Sequence, residues 1–250
     1  MVKRGTILPK KLKNDAIVEA VVELRFESQG LPEVFIGRFI DHRNWSAWTQ
    51  RQLPAYNLPA QLRTIDPNVQ FAPTIELADN ENKTLLRIGP FVVSYHRQAP
   101  YVGWEKFKPE LERVTATLFE ATKDVTIKRL GLRYLNALRP EIHGIAALTD
   151  LDIKMTVSEE VIAKAANLNF TTKVGRDSSC TVRIATPELV VGPIPAGTSV
   201  FIDVDVFTNQ GFTTKEKQAA DEWIEFAHSQ EKTEFFRLFT KTTIDNLREE

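Results

Sequence analysis

The chain has 250 residues, with 32 Lys and Arg against 33 Asp and Glu, a formal net charge of −1. A near-neutral total removes the simplest electrostatic case for nucleic-acid binding, which rests on a net basic surface. The single cysteine, Cys180, excludes an internal disulfide and fits a cytoplasmic protein, and no apolar run reaches the ~20 residues of a membrane span.

Ala16 to Phe26 is the first element. Val18, Ala20, Val22, Leu24 and Phe26 alternate with Ile17, Glu19, Val21, Glu23 and Arg25. A side-chain period of two predicts a strand with one apolar and one charged face. Gly30-Leu31-Pro32 then punctuates. Phe35, Ile36, Phe39, Ile40 and Trp48 predict a helix over 33–50. Val69, Phe71 and Ile75 predict an edge strand over 68–77, interrupted at Pro73. Asp79 to Asn82 reads as a turn. Thr84 to His96 completes a hairpin as one strand kinked at Gly89-Pro90. From Gly103 to Thr122, Trp104, Phe107, Leu111, Val114, Leu118 and Ala121 recur at helical steps. Val125 to Leu138 is a long strand, with Leu130, Leu132 and Tyr134 on one face and Arg129, Gly131 and Arg133 on the other.

The order strand, helix, strand, strand, helix, strand is the split βαβ plan of a ferredoxin-like fold. It sets the first strand beside the fourth. Glu19, Glu23 and Arg25 are then expected to face Arg129 and Arg133, each opposite-charge pair contributing ~0.2–1 kcal/mol. In the second half, strands are expected at Leu151–Val157, Leu168–Val174, Cys180–Ala185 and Thr198–Phe207. Gly175 to Ser178 reads as a turn, and Ser158-Glu159-Glu160 as the start of a short helix. Helices are expected over Thr214–Ala227, capped by Thr213 or Thr214, and from Gln230 to Leu247. The expected class is α+β, with a ferredoxin-like half over 1–140. A mainly antiparallel half over 141–250 follows, closed by C-terminal helices. No Gly/Ser linker separates the halves, so they are expected to pack as one body.

Little in the chain points to catalysis. His42, His96, His143 and His228 show no HxH, HxxxH or HExxH spacing, so no metal site is expected. Asp203 and Asp205 share a strand face, the pattern of a metal or acid pair and also of a solvent-facing strand edge. The motifs GxSxG, GxGxxG and the Walker lysine loop are absent. Cys180 reads as a small buried hydrophobe. No catalytic residue and no cofactor is expected, and the reading leans away from an enzyme. Binding candidates are the charged strand residues Glu19, Glu23, Arg25, Arg129 and Arg133. A second group is the aromatic-basic cluster Tyr95, His96, Arg97, Tyr101 and Trp104, which offers base stacking or plain loop packing. Arg38, Arg43, Trp45, Trp48 and Arg51 form a similar mixed patch. His228 reads as a cap on a helix C-terminus.

Four segments carry a family resemblance. They are the run Leu12 to Phe26, Pro100-Tyr101-Val102-Gly103-Trp104, Arg129 to Asn136, and the ending with Trp223, His228 and Phe235-Phe236. Together they resemble a sporadically distributed bacterial family of unknown function, marked by an "LKNAPIVEAVxExRF" run and an "RLGLRYxN" strand. Asp15-Ala16 stands where the family run has Ala-Pro. The resemblance covers nearly the whole chain and implies a bacterial or phage-like cytoplasmic protein, with no reaction or cofactor attached. The expected function is a non-catalytic binding protein acting with a protein partner or as a homo-oligomer. A nucleic-acid-binding module, RNA before DNA, is the alternative, and a metal-dependent hydrolase or nuclease stands third. No membrane role is expected.

Overall fold

The computed structural model describes residues 8, 9, 11–154, 156–161, 165–175 and 177–249. Arg176 of the expected turn and residues 162–164 of the expected short helix lie outside the described residues. In chain order the main elements are β1 (Ile17–Glu27), α1 (Pro32–Ile40), β2 (Thr49–Gln52), β3 (Ile75–Asp79), β4 (Thr84–Gly89) and β5 (Val92–Gln98). Then come α2 (Trp104–Ala121), β6 (Thr126–Leu138), β7 (Asn167–Lys173), β8 (Ser178–Ala185), β9 (Val200–Thr208), α3 (Lys217–Phe236) and α4 (Lys241–Leu247). The protein is α+β, built on a nine-stranded antiparallel sheet in the order β2-β3-β4-β5-β1-β6-β9-β8-β7. One sheet therefore runs through both halves of the chain, joined where β6 pairs with β9. Among the described residues no helix is long and apolar enough to cross a membrane.

The alternation of β1 gives the sheet two unlike faces, and the register carries them across the strands. Val22 lies opposite Tyr95 and Leu132, and Leu24 opposite Val93 and Leu130. Glu23, on the other face, lies opposite Ser94 and Gly131. A slip of one residue would exchange the faces, so burial fixes the register. Phe107, Leu111, Val114 and Leu118 of α2 and Ala220, Ile224 and Ala227 of α3 join the apolar face in one core. At one end an aromatic chain continues it, from Phe26 to Phe35 at 4.9 Å between centroids, Phe39 at 5.6 Å and Trp45 at 6.3 Å. Burying each such side chain contributes ~1.5–3 kcal/mol.

Several expected elements differ. The first helix stops at Ile40; residues 41–48 turn repeatedly and lead into β2. Trp45 and Trp48 reach the core from these turns, so their spacing satisfies ring packing without a helix. The strand expected over 68–77 begins only at Ile75, because Pro73 cannot donate to the ladder, and Pro67–Gln70 is a helical turn. Thr84 to His96 is two strands of a hairpin, not one kinked strand. A Cβ on Gly89, at the end of β4, would sit 2.7 Å from the Ala72 carbonyl oxygen, which explains the glycine. Among the described residues of Leu151–Val157, only Thr156–Val157 is strand. It pairs with Glu160–Val161, with Ser158 and Glu159 in the turn at φ 49 and 73, so that turn starts no helix.

The long C-terminal helix α3 is unbroken through residue 228. Ser229 and Thr233 turn their hydroxyls back to the carbonyls of Glu225 and Ser229, at 3.3 and 2.9 Å, and so do not end the helix. Glu216 occupies the N-cap of α3. Thr214 Oγ1 accepts the Glu216 N–H at 3.1 Å in the turn before it.

Candidate functional site

Two places gather polar groups, one on each side of the sheet. The first is a cleft under α3. Tyr134 points from β6 toward the helices, and a phenol on an apolar face needs a hydrogen-bond partner. Its hydroxyl lies 3.2 Å from the Tyr101 hydroxyl and 3.2 Å from His228 Nδ1. Trp104, which opens α2, lies flat on His228 with centroids 3.9 Å apart and planes within 6°. Its Nε1 donates to both Glu225 carboxylate oxygens at 3.3 Å, and Lys108 reaches Glu225 at 2.8 Å. These contacts tie α2 to α3. With Leu12, Val102, Phe235 and Phe236 they enclose a cavity of about 400 Å³, within the range typical of small-ligand sites.

Burial sets the charge state of this cleft. It pushes His228 down to about 4, so the imidazole is neutral at neutral pH. It pushes the Tyr101 and Tyr134 hydroxyls up, which leaves neither as a ready nucleophile. Glu231 lies one turn beyond His228 and is only 1% exposed. Both of its carboxylate oxygens are enclosed with no partner in good hydrogen-bond geometry, and the nearby Val206 backbone offsets only part of the cost of burial. Burial, with Asp205 and Asp203 nearby, holds this carboxyl well above the usual range. Asp15 is also raised by burial, although the Ile17 N–H donates to it at 3.0 Å.

The second place is the charged face. Arg25 Nε and Arg129 Nη1 both donate to Glu23 Oε1, at 2.7 and 2.8 Å. Arg133 grips Asp203 with two bonds, at 2.7 and 2.5 Å, the bidentate geometry that makes such pairs strong. Glu19 Oε1 meets His96 Nδ1 at 2.9 Å, and this bond holds the Glu19 carboxyl below its usual value. Farther out, Glu76 receives Arg87 at 2.8 Å and Arg51 at 2.6 Å. Burial, with Asp203 and Glu23 nearby, raises Asp205 to about 6 despite Arg129 and Arg133. Glu23, Arg25, Arg129 and Asp205 keep side chains 27–33% exposed, and Arg133 45%. Phe71 under Arg25 and the Leu189 carbonyl at Arg183 are the contacts that flank this face.

The structure regroups the expected site residues. Arg129 does meet Glu23, but Arg133 turns to Asp203 and Glu19 to His96. The cluster around residues 95–104 is three separate things. Strand alternation sends Tyr95 and Arg97 toward the helices, where both reach Glu110, at 3.1 and 3.3 Å. It sends His96 to the charged face and leaves Tyr101 and Trp104 to the cleft. His228 caps nothing, since it stands inside α3. The patch around Arg38 also dissolves: Trp45 is core and Arg51 pairs with Glu76. Asp203 and Asp205 sit on β9, an interior strand between β6 and β8, so they are not at an edge. Among the described residues no three His, Cys, Asp or Glu side chains are placed to hold a metal.

Cys180 is fully buried on the apolar face, and burial raises its thiol. The native protein should therefore resist a thiol reagent and react with one equivalent on unfolding. Reaction of the folded protein at the rate of a free thiol would contradict this placement.

Sequence reading missed Tyr134 and Glu231 as site residues. A signal existed for each. Tyr134 puts a hydroxyl on an apolar strand face. Glu231 falls on the stripe of Ala220, Ile224 and Ala227 at helical spacing, an acid among apolar buried residues. No protein-family model and no curated protein matches the chain.

Proposed function

We propose that this is a non-catalytic binding protein that engages a protein partner, or a second copy of itself, through the charged face of the sheet. The observation that carries the reading is the exposure of that face, where Glu23, Arg129 and Arg133 keep side chains 27–45% exposed while held in fixed pairs. Pre-ordered charges of both signs favour a partner with its own mixed charges and select against a mismatched one. A nucleic-acid backbone suits the face less well. Arg25, Arg87, Arg129 and Arg133 already hold carboxylates, which phosphates would have to displace.

Two finer readings belong to the same proposal. A ferredoxin-like split βαβ unit is supported by β1 lying between β5 and β6, with α2 connecting those two. Membership of the sporadic bacterial family, and with it a cytoplasmic setting, is supported by the opening run and the β6 sequence.

The test is sedimentation velocity over a range of concentration and salt, with capture from a lysate run in parallel. Association should weaken with salt. It should fall roughly tenfold or more in the Arg129→Gln, Arg133→Gln double variant. A monomer at every concentration that captures no protein, or association indifferent to both arginines, would overturn the proposal.

A further inference from the structure

The cleft under α3 lies on the opposite side of the sheet from the charged face and needs no part of the preceding proposal. Its wall is aromatic: Trp104, Tyr101, Phe235 and Phe236. Its rim is cationic. Lys11, Lys106 and Lys232 all line it, and Lys106 makes no ion pair among the described residues. Lys11 is paired with Glu249 at 3.3 Å, so Lys106 is the cation that the rim offers an occupant. The other acids beside the cleft do not cancel it. Glu231 has its oxygens enclosed, out of reach of an occupant. Asp15 is turned to the Ile17 N–H. The carboxylate of Glu225 is taken by Lys108 and Trp104.

The inner polar groups are already linked to one another. Tyr134 uses its hydroxyl toward both Tyr101 and His228. Tyr101, at the end of that chain, keeps hydrogen-bonding capacity for one further group. A flat apolar wall, a positive rim and one free hydroxyl position describe one kind of occupant.

We propose that this cleft is a binding site for a small aromatic anion, its ring system against Trp104 and Phe235 and its acidic group toward Lys106. The cavity volume admits a body of two fused rings with a substituent and excludes a polymer.

The probe is anilinonaphthalene sulfonate, an aromatic anion whose emission rises in apolar sites, compared with uncharged phenylnaphthylamine. The folded wild-type protein should bind the sulfonate saturably at one site, roughly tenfold or more tighter than the neutral dye. Lys106→Glu should weaken the sulfonate by a similar factor and leave the neutral dye unchanged. Trp104→Ala should weaken both. Arg133→Gln, on the opposite face, should affect neither. Lys106→Glu changes an exposed side chain, so it keeps the test sound if Trp104→Ala folds poorly. Non-saturable emission, equal affinity for both dyes, or a Lys106→Glu variant that binds the sulfonate as wild type does would each overturn the assignment.

Discussion

Replacing Glu231 with Met should make the protein more stable, and the gain should grow as pH rises. Glu231 is enclosed between α3 and the sheet with no well-formed hydrogen bond to either carboxylate oxygen, and the Val206 backbone offsets only part of the burial. An unsatisfied buried polar group costs about 1–3 kcal/mol, and Met nearly conserves the volume. For a chain of this size that corresponds to roughly 3–8 °C in melting temperature. The sign of the pH dependence follows from linkage. The folded carboxyl binds its proton more tightly than the unfolded one, whose ordinary value is 4.5. Wild-type stability is therefore fullest below that value and falls as pH rises toward the folded pKa. The Met variant lacks this loss, so the difference between the two melting curves should widen as pH rises above 4.5. A variant less stable than wild type at every pH would show that the carboxylate has a partner after all.

Trp104→Ala should have a large effect of the opposite sign. The indole stacks on His228, meets Phe107 edge-on at 6.2 Å and donates to Glu225. Truncating a buried Trp costs about 3–5 kcal/mol, and this half-buried one should cost about 2–4 kcal/mol. The melting temperature should fall by roughly 5–10 °C. A second readout separates this site from a generic packing loss. His228 is held at about 4 chiefly by burial, and opening one side of the ring should return it toward its ordinary 6.5. In wild type the neutral histidine contributes stability that is present above 6.5 and lost as pH falls through about 4. The variant lacks much of that acid loss, so its deficit should shrink toward low pH. An NMR titration of the His228 ring measures the shift directly. An unmoved pKa with a large stability loss would contradict the role given to the stack.

Local periodicity made much of this architecture readable. The alternation in β1 and β6, and the three-and-four spacing in α2, are direct records of which side of an element meets the core. The errors fall where one pattern serves two structures. Phe39, Trp45 and Trp48 have near-helical spacing, yet rings can stack just as well from successive turns. The break expected between Ala227 and Gln230 does not occur, because Ser229 turns its hydroxyl back to the Glu225 carbonyl and the helix runs on to Phe236. The site was less legible than the fold, because it is made by distant residues. Tyr101, Tyr134 and His228 come from a loop, a strand and a helix, and nothing in their spacing encodes the meeting. The same holds for Arg133, whose partner Asp203 is on β9, the neighbour of β6 on the side away from β1, which it was expected to face.

Carboxyl footprinting of the assembled protein tests the central claim most directly. Residues Glu19, Glu23 and Asp205 lie on the charged face and are partly exposed in the single chain. In the bound state all three should be protected from modification, while Glu105 and Glu222 on the helical side label as in the monomer. Protection confined to the helical side, with Glu19, Glu23 and Asp205 labelled as fully as in the free chain, would contradict the assignment of the charged face as the binding surface.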